Sequence, residues 1–118
     1  MLERGAVYFP LSAVAASQLR AGSSPDTAAV QVVAPDAGDL LHLWKGGLID
    51  RINRQAECFI DEYEEEEIGV DKLAAVLQVL DAWLRENEGT ITLLPLVQDL
   101  RDATEAAITR GTPALFVF

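Results

Sequence analysis

Cysteine occurs once in this chain of 118 residues, at Cys58, histidine once, at His42, and lysine twice, at Lys45 and Lys72. A single thiol excludes an internal disulfide and fits a reducing compartment. One cysteine and one histidine are also too few for a zinc site, which draws its ligands from clusters of both. Aromatic residues make up only 7% of the sequence, so a core of Leu, Val, Ile and Ala is expected. Nowhere does an apolar run approach the roughly 18 to 20 residues of a membrane helix. The segment Met1-Leu2-Glu3-Arg4 and the short apolar run before Pro10 lack the layout of a secretory signal. A cytoplasmic protein of a bacterial cell is the expectation.

Charge of one sign is the counterpart of these shortages. Nineteen acidic residues against nine basic ones give a net charge of −10. Such a surface repels phosphate backbones and anionic lipid, so neither a nucleic acid nor a membrane is the expected partner, whereas a basic protein is. Half of the residues are hydrophobic, enough for one core without staples, and residues 1–118 read as a single domain.

Gly5 to Phe9 is short, apolar and strand-prone, and Pro10 ends it. Leu11, Val14, Ala15 and Leu19 recur at helical spacing, with Gly22 as a cap. Residues 22–26 form the clearest loop signal. Ala28 to Ala34 reads as a second strand, although a helix with Pro25 in its first turn is an alternative for residues 25–34. From Asp39 a stripe of Leu41, Trp44, Leu48, Ile52, Ala56, Phe59 and Tyr63 steps by three or four. Gly46-Gly47 interrupts it at a cost of about 2 kcal/mol. The expected result is a break there and a main helix from about Leu48 to Glu66.

After Gly69, with Asp71 helping to open it, Leu73, Val76, Leu77, Leu80 and Leu84 define a further helix that ends at Asn87 to Gly89. The last helix has Thr92 as its candidate N-cap, Pro95 in its first turn, and Leu96, Val97, Leu100, Ala103, Ala107 and Ile108 on its inner face. Gly111 and Pro113 stop it. Ala114 to Phe118 then reads as a strand buried on both faces. The fold class is α+β: a small sheet of two to three short strands packed against a layer of three to four helices.

No catalytic motif accompanies this pattern. On one continuous helix, His42 and Cys58 would lie about 24 Å apart along the axis and about 160° apart around it, which disfavours a nucleophile–base pair. The register of a calcium loop around Gly69 fails, because Ile68 falls where an oxygen ligand belongs. Asp36 and Asp39 are explained by capping of the helix that follows them. Gly46-Gly47 has neither the flanking strand nor the spacing of a phosphate-binding loop. No metal, cofactor or enzymatic activity is expected.

What remains is the acidic run. Asp61, Glu62, Glu64, Glu65, Glu66 and Glu67 surround Tyr63, with Glu57 before and Asp71 after. At the end of a helix these carboxylates would oppose the macrodipole, each at a cost of a few tenths to about 1 kcal/mol. Pairs four apart would add repulsion. A local conflict of this kind is often a sign of function; the alternative is that the run is a solvated face, or one neutralised internally by Arg51, Arg54, Arg101 or Arg110.

The expected function is therefore a non-enzymatic interaction module. It would bind a basic partner through Glu57, Asp61, Glu62, Tyr63, Glu64, Glu65, Glu66, Glu67 and Asp71, with Tyr63 and Phe59 as aromatic anchors. Immunity and antitoxin proteins that neutralise toxins share this size, charge and lack of catalytic residues. Two other classes stand beside it. One is a small-molecule-binding or regulatory domain, or an enzyme without a signature, which calls for a deep carboxylate-lined pocket. The other is a self-associating scaffold or homodimer with Trp44, Trp83 or residues 115–118 at its interface.

Overall fold

A computed structural model describes residues 3–23, 26–62, 64–88 and 94–118. Four strands form one antiparallel sheet in the order β2-β1-β4-β3: β1 (Ala6–Pro10), β2 (Val30–Val33), β3 (Glu65–Ile68) and β4 (Ala114–Val117). The helices are α1 (Ala13–Arg20), α2 (Ala37–Lys45), α3 (Leu48–Ala56), α4 (Val70–Glu86) and α5 (Leu94–Arg110). The α+β class holds, and the sheet has one strand more than the sequence suggested.

Because strand side chains alternate between faces, the sheet feeds two apolar clusters. Val7, Phe9, Val33, Ile68, Ala114, Phe116 and Phe118 join the main core, with Leu43, Ile49, Ile52, Leu73, Val76, Leu80, Val97 and Leu100 from α2 to α5. On the opposite face, Ala6, Tyr8, Leu115 and Val117 cluster with Leu19 of α1. The layers are thus α1, the sheet, then four helices. Burying both faces of β1 and β4 requires the nearly unbroken apolar character that the two central strands have.

The break at Gly46-Gly47 is where the sequence places it, and both glycines are needed. A Cβ on Gly46 would meet the His42 carbonyl oxygen at 2.8 Å, and Gly47 sits at φ +79°, a region that other residues enter at a cost of about 1–2 kcal/mol. The break resets the apolar stripe. Leu43 is buried in α2, whereas Leu41 is 50% exposed. Asp36 caps α2 as expected, accepting from the Asp39 N–H at 2.8 Å. In the segment read as strand or helix, residues 27–29 form a 3₁₀ turn and β2 starts at Val30. α4 opens on Gly69 with no side-chain cap, and Asp71 lies in its first turn. Thr92 lies outside the described residues. Among those described, no helix is long and apolar enough to cross a membrane.

Candidate functional site: an acidic loop and edge strand

The expected helix from Leu48 to Glu66 ends at Ala56 instead. Glu57 takes the left-handed conformation, with φ 54° and ψ 52°, and the N–H groups of Glu57 and Cys58 both turn back to the Asn53 carbonyl. A left-handed residue closed by such bonds is a helix terminator. Asn53 then secures the exit. Its Oδ1 accepts from the Ile60 N–H at 2.7 Å, and its Nδ2 donates to the Ile60 carbonyl at 2.9 Å. The side chain behaves like a short piece of neighbouring strand, and it ties the segment that follows Glu57 back to α3 at Ile60.

Burial through that segment follows the period of two of an extended chain. Ala56, Cys58 and Ile60 are buried, whereas Glu57, Phe59 and Asp61 are exposed. Phe59, expected on the inner stripe of a helix, is 79% exposed.

The carboxylates therefore stand on a loop and an edge strand rather than at a helix end. Asp61 turns its Oδ1 onto the Glu62 N–H at 2.8 Å. The Glu64 carbonyl accepts from the Phe118 N–H at 3.4 Å, and β3 pairs with β4 through Glu65 to Ile68. Glu65 lies opposite Val117 and Glu67 opposite Leu115, which places both on the α1 face. Glu66 lies opposite Phe116 on the core face and is half-buried at the rim. Asp71 is exposed in the first turn of α4. Tyr63 lies outside the described residues.

Leaving the helix removes the conflict with the macrodipole and the stacking of like charges four apart. It does not neutralise the charge. Among the described residues, the acidic run has one ion pair, Arg20 Nε to Glu67 Oε1 at 2.7 Å. Lys72 donates to the Glu57 carbonyl at 2.7 Å rather than to a carboxylate. The arginines proposed as internal neutralisers are engaged elsewhere or unpaired. Arg51 meets Glu86 at 3.0 Å, and Arg101 bridges Asp81, Asp102 and Glu105. Arg54 and Arg110 make no ion pair among the described residues. Arg20, the cation that does reach the run, carries no sequence signal, because 47 residues separate it from Glu67.

The remaining titratable candidates do not assemble a reactive centre. His42 is exposed on α2. Cys58 is buried, with Sγ 3.3 Å from Asn53 Oδ1. Burial above all, and then the charge of Glu66, push its thiol pKa up, away from a reactive thiolate. Among the described residues, no group of three or more His, Cys, Asp or Glu is arranged to hold a metal ion.

Among the described residues, two grooves open on the surface. One of about 360 Å³ lies between α3 and α4 and is lined by Arg51, Arg54, Gln55, Gln78, Val79 and Ala82. The other, of about 240 Å³, is lined by Ala37, Leu40, Leu41, Trp44, Glu62 and Phe118. Neither is the deep carboxylate-lined pocket that the small-molecule reading calls for. Residues 115–118 are buried in and just beyond the central strand β4, and so present no open dimer face. Comparison with family models, with curated proteins and with solved structures finds no match.

Proposed function

We propose that this protein is a non-enzymatic binding module that receives an extended basic segment of a partner protein along β3. The observation that carries the reading is the position of the glutamates. Glu65, Glu66 and Glu67 occupy a strand at the edge of the sheet, whose outer side has no neighbouring strand among the described residues. An open edge offers unpaired N–H and C=O groups to an incoming strand, and side chains decide which strand is accepted. Glu65 and Glu67 on one face of the strand, with Glu66 at the rim of the other, repel a second copy and attract a segment carrying Lys or Arg, giving both selectivity and a fast encounter. Exposed Phe59, preceded by Glu57 and followed by Asp61 and Glu62, adds the apolar contact that charge alone lacks.

An immunity or antitoxin role, in which the acidic edge blocks a basic cleft on a toxin, is the form of this reading that suits a small acidic protein. The net charge of −10 argues against nucleic acid and anionic membrane as partners.

The test uses the wild type and a Glu64→Gln/Glu65→Gln/Glu67→Gln variant as baits in source-cell lysate at low and high salt. Any retained protein is then purified and titrated against both. The expected result is a basic partner whose affinity falls with salt and falls again with the variant. Equal binding to both baits refutes the reading.

A further inference from the structure

Beyond the end of β4, α2 and the acidic loop enclose the apolar groove of about 240 Å³ lined by Ala37, Leu40, Leu41, Trp44, Glu62 and Phe118. Its floor is ordered by aromatic packing. Trp44 meets Phe118 edge to face at 6.0 Å and 72°, and Phe118 meets Phe116 at 5.9 Å and 81°. Leu41 forms a half-exposed apolar wall on α2. Among the described lining residues, Glu62 has the one charged side chain, and it makes no ion pair among the described residues, whereas Arg4 Nη1 reaches the Phe118 main-chain oxygen at 3.5 Å. Because the Phe118 N–H bonds to the Glu64 carbonyl, the groove lies where β3 begins. A chain added on the free side of β3 would pass Glu64 on the side away from Phe118, two strand spacings (about 10 Å) off, a gap that only a long side chain closes.

We infer that this groove seats an arginine side chain carried by the basic segment that adds to β3. The inference rests on the proposed docking edge and names the residue that the edge would hold most tightly. Three features of the lining match three parts of arginine. The aliphatic stem needs an apolar wall, supplied by Leu40 and Leu41. The planar guanidinium stacks on an aromatic face, and Trp44 provides the best of these. Its fork of N–H donors pairs with a carboxylate, and Glu62 stands in the same groove.

A purely apolar anchor fits worse, since it would strip water from Glu62 and leave the charge unpaired. A lysine fills the groove but neither stacks nor bonds in the bidentate manner, and its ammonium holds water more strongly. Asp61 and Glu64 on either side of the groove residue raise the local concentration of a cationic segment. His42 and Lys45, the basic-type residues of α2, are exposed and absent from the lining.

The experiment uses the full chain carrying Trp83→Phe, so that Trp44 is the one remaining tryptophan. Titrants are two synthetic peptides of equal charge, one alternating valine with arginine and one alternating valine with lysine. Trp44 fluorescence and calorimetry give the dissociation constants. The arginine peptide should perturb Trp44 and bind several-fold more tightly than the lysine peptide. Glu62→Gln and Leu41→Lys, both at exposed positions, should each weaken it by about five- to tenfold. Asp99→Asn on α5, an equal change of charge outside the groove, should alter it less than twofold.

If the groove variants bind like the wild type while Glu64→Gln/Glu65→Gln/Glu67→Gln binds weakly, the arginine pocket is overturned and the docking edge stands. If the groove variants weaken binding and the edge variant does not, the pocket stands and the edge falls. If neither peptide binds the wild type, both fall. Equal affinity for the two peptides, with no fluorescence change, also overturns the pocket.

Discussion

Replacing Asn53 by alanine should loosen the acidic segment and destabilise the fold. Asn53 makes two bonds to the backbone of Ile60, at 2.7 and 2.9 Å, and a third contact to Cys58 Sγ at 3.3 Å. Each backbone bond contributes about 1 kcal/mol net, and a buried backbone group left without a partner costs about 1–3 kcal/mol. Ile60 is 3% exposed, so water can satisfy its N–H and C=O only if the segment moves. Asn53 itself is half-buried, which keeps the cost between the net value of the two bonds and the full penalty of two unpaired groups. The expected loss is about 2–3 kcal/mol, or roughly 10 °C in Tm for a chain of this size.

Urea unfolding followed by both circular dichroism and tryptophan fluorescence measures the loss, and Gln55→Ala, an exposed helical neighbour, sets the baseline at about ±0.5 kcal/mol. Asn53→Asp separates the two bonds. It still accepts from the Ile60 N–H but sets a carboxylate against the Ile60 carbonyl, and protonation supplies a donor in place of that charge. The carbonyl raises the folded pKa of the new carboxyl, so the deficit should shrink as the pH falls towards the unfolded aspartate value of about 3.9 and stay constant below it. Because Cys58 is buried beneath the same segment, Asn53→Ala should also speed its reaction with a thiol reagent under native conditions, through local opening. An Asn53→Ala variant as stable as Gln55→Ala, with unchanged thiol labelling, would refute the idea that this side chain holds the segment.

Glu57→Gly should raise stability by about 0.5–1 kcal/mol, since φ 54° costs glutamate more than glycine loses in chain entropy; a fall in the urea midpoint would contradict this. Arg51 lowers the pKa of Glu86 through hydrogen bonds at 3.1 and 3.0 Å. A depressed carboxylate stabilises the fold above its ordinary value of about 4.3 and loses that contribution as pH falls through the lower, folded value, so the gap between wild type and Arg51→Gln should close in acid. A gap that stays constant from neutrality to pH 3 would count against that pairing. Glu65→Val/Glu67→Val should promote concentration-dependent association on size exclusion, because the edge loses its repulsion and gains strand-forming side chains. Elution identical to the wild type at every concentration would show that these charges do not guard the edge.

The elements legible in the sequence are those whose signal is local. The glycine pair, the Asp36 cap, the inner faces of α4 and α5 and the apolar central strand β4 all follow from short-range sterics or from periodicity. β3 is the opposite case. Glutamate is a poor strand former, and Glu65 to Ile68 become a strand only by pairing with β4, some fifty residues further along the chain. No local pattern announces such a pairing.

The misplaced helix end has an equally specific cause. Ala56, Phe59 and Tyr63 happen to fall at helical spacing, and exposed Phe59 hides the alternation of Ala56, Cys58 and Ile60 that marks an extended segment. The composition of the acidic site was thus readable, but its geometry was not. The change of geometry matters, because a strained helix end would have been an argument from local conflict, and that conflict is gone.

The case for a binding surface rests instead on a contrast between the two edges of one sheet. Unpaired strands invite association, and charge is one of the ways in which proteins discourage it. If self-protection alone explained the glutamates, β2, at the opposite edge, would need the same device. It carries none: Val30, Gln31, Val32 and Val33 contain no charge, and Val32 is 49% exposed. One edge tolerates exposed valine while the other concentrates carboxylates well beyond the strand itself, through Asp61, Glu62 and Glu64, with only Arg20 paired against them among the described residues. Protection against a second copy needs a charge or two within the strand. A charged approach extending from the loop to the strand, bordered by an exposed phenylalanine and an aromatic groove, suits a cationic chain arriving along the whole of it.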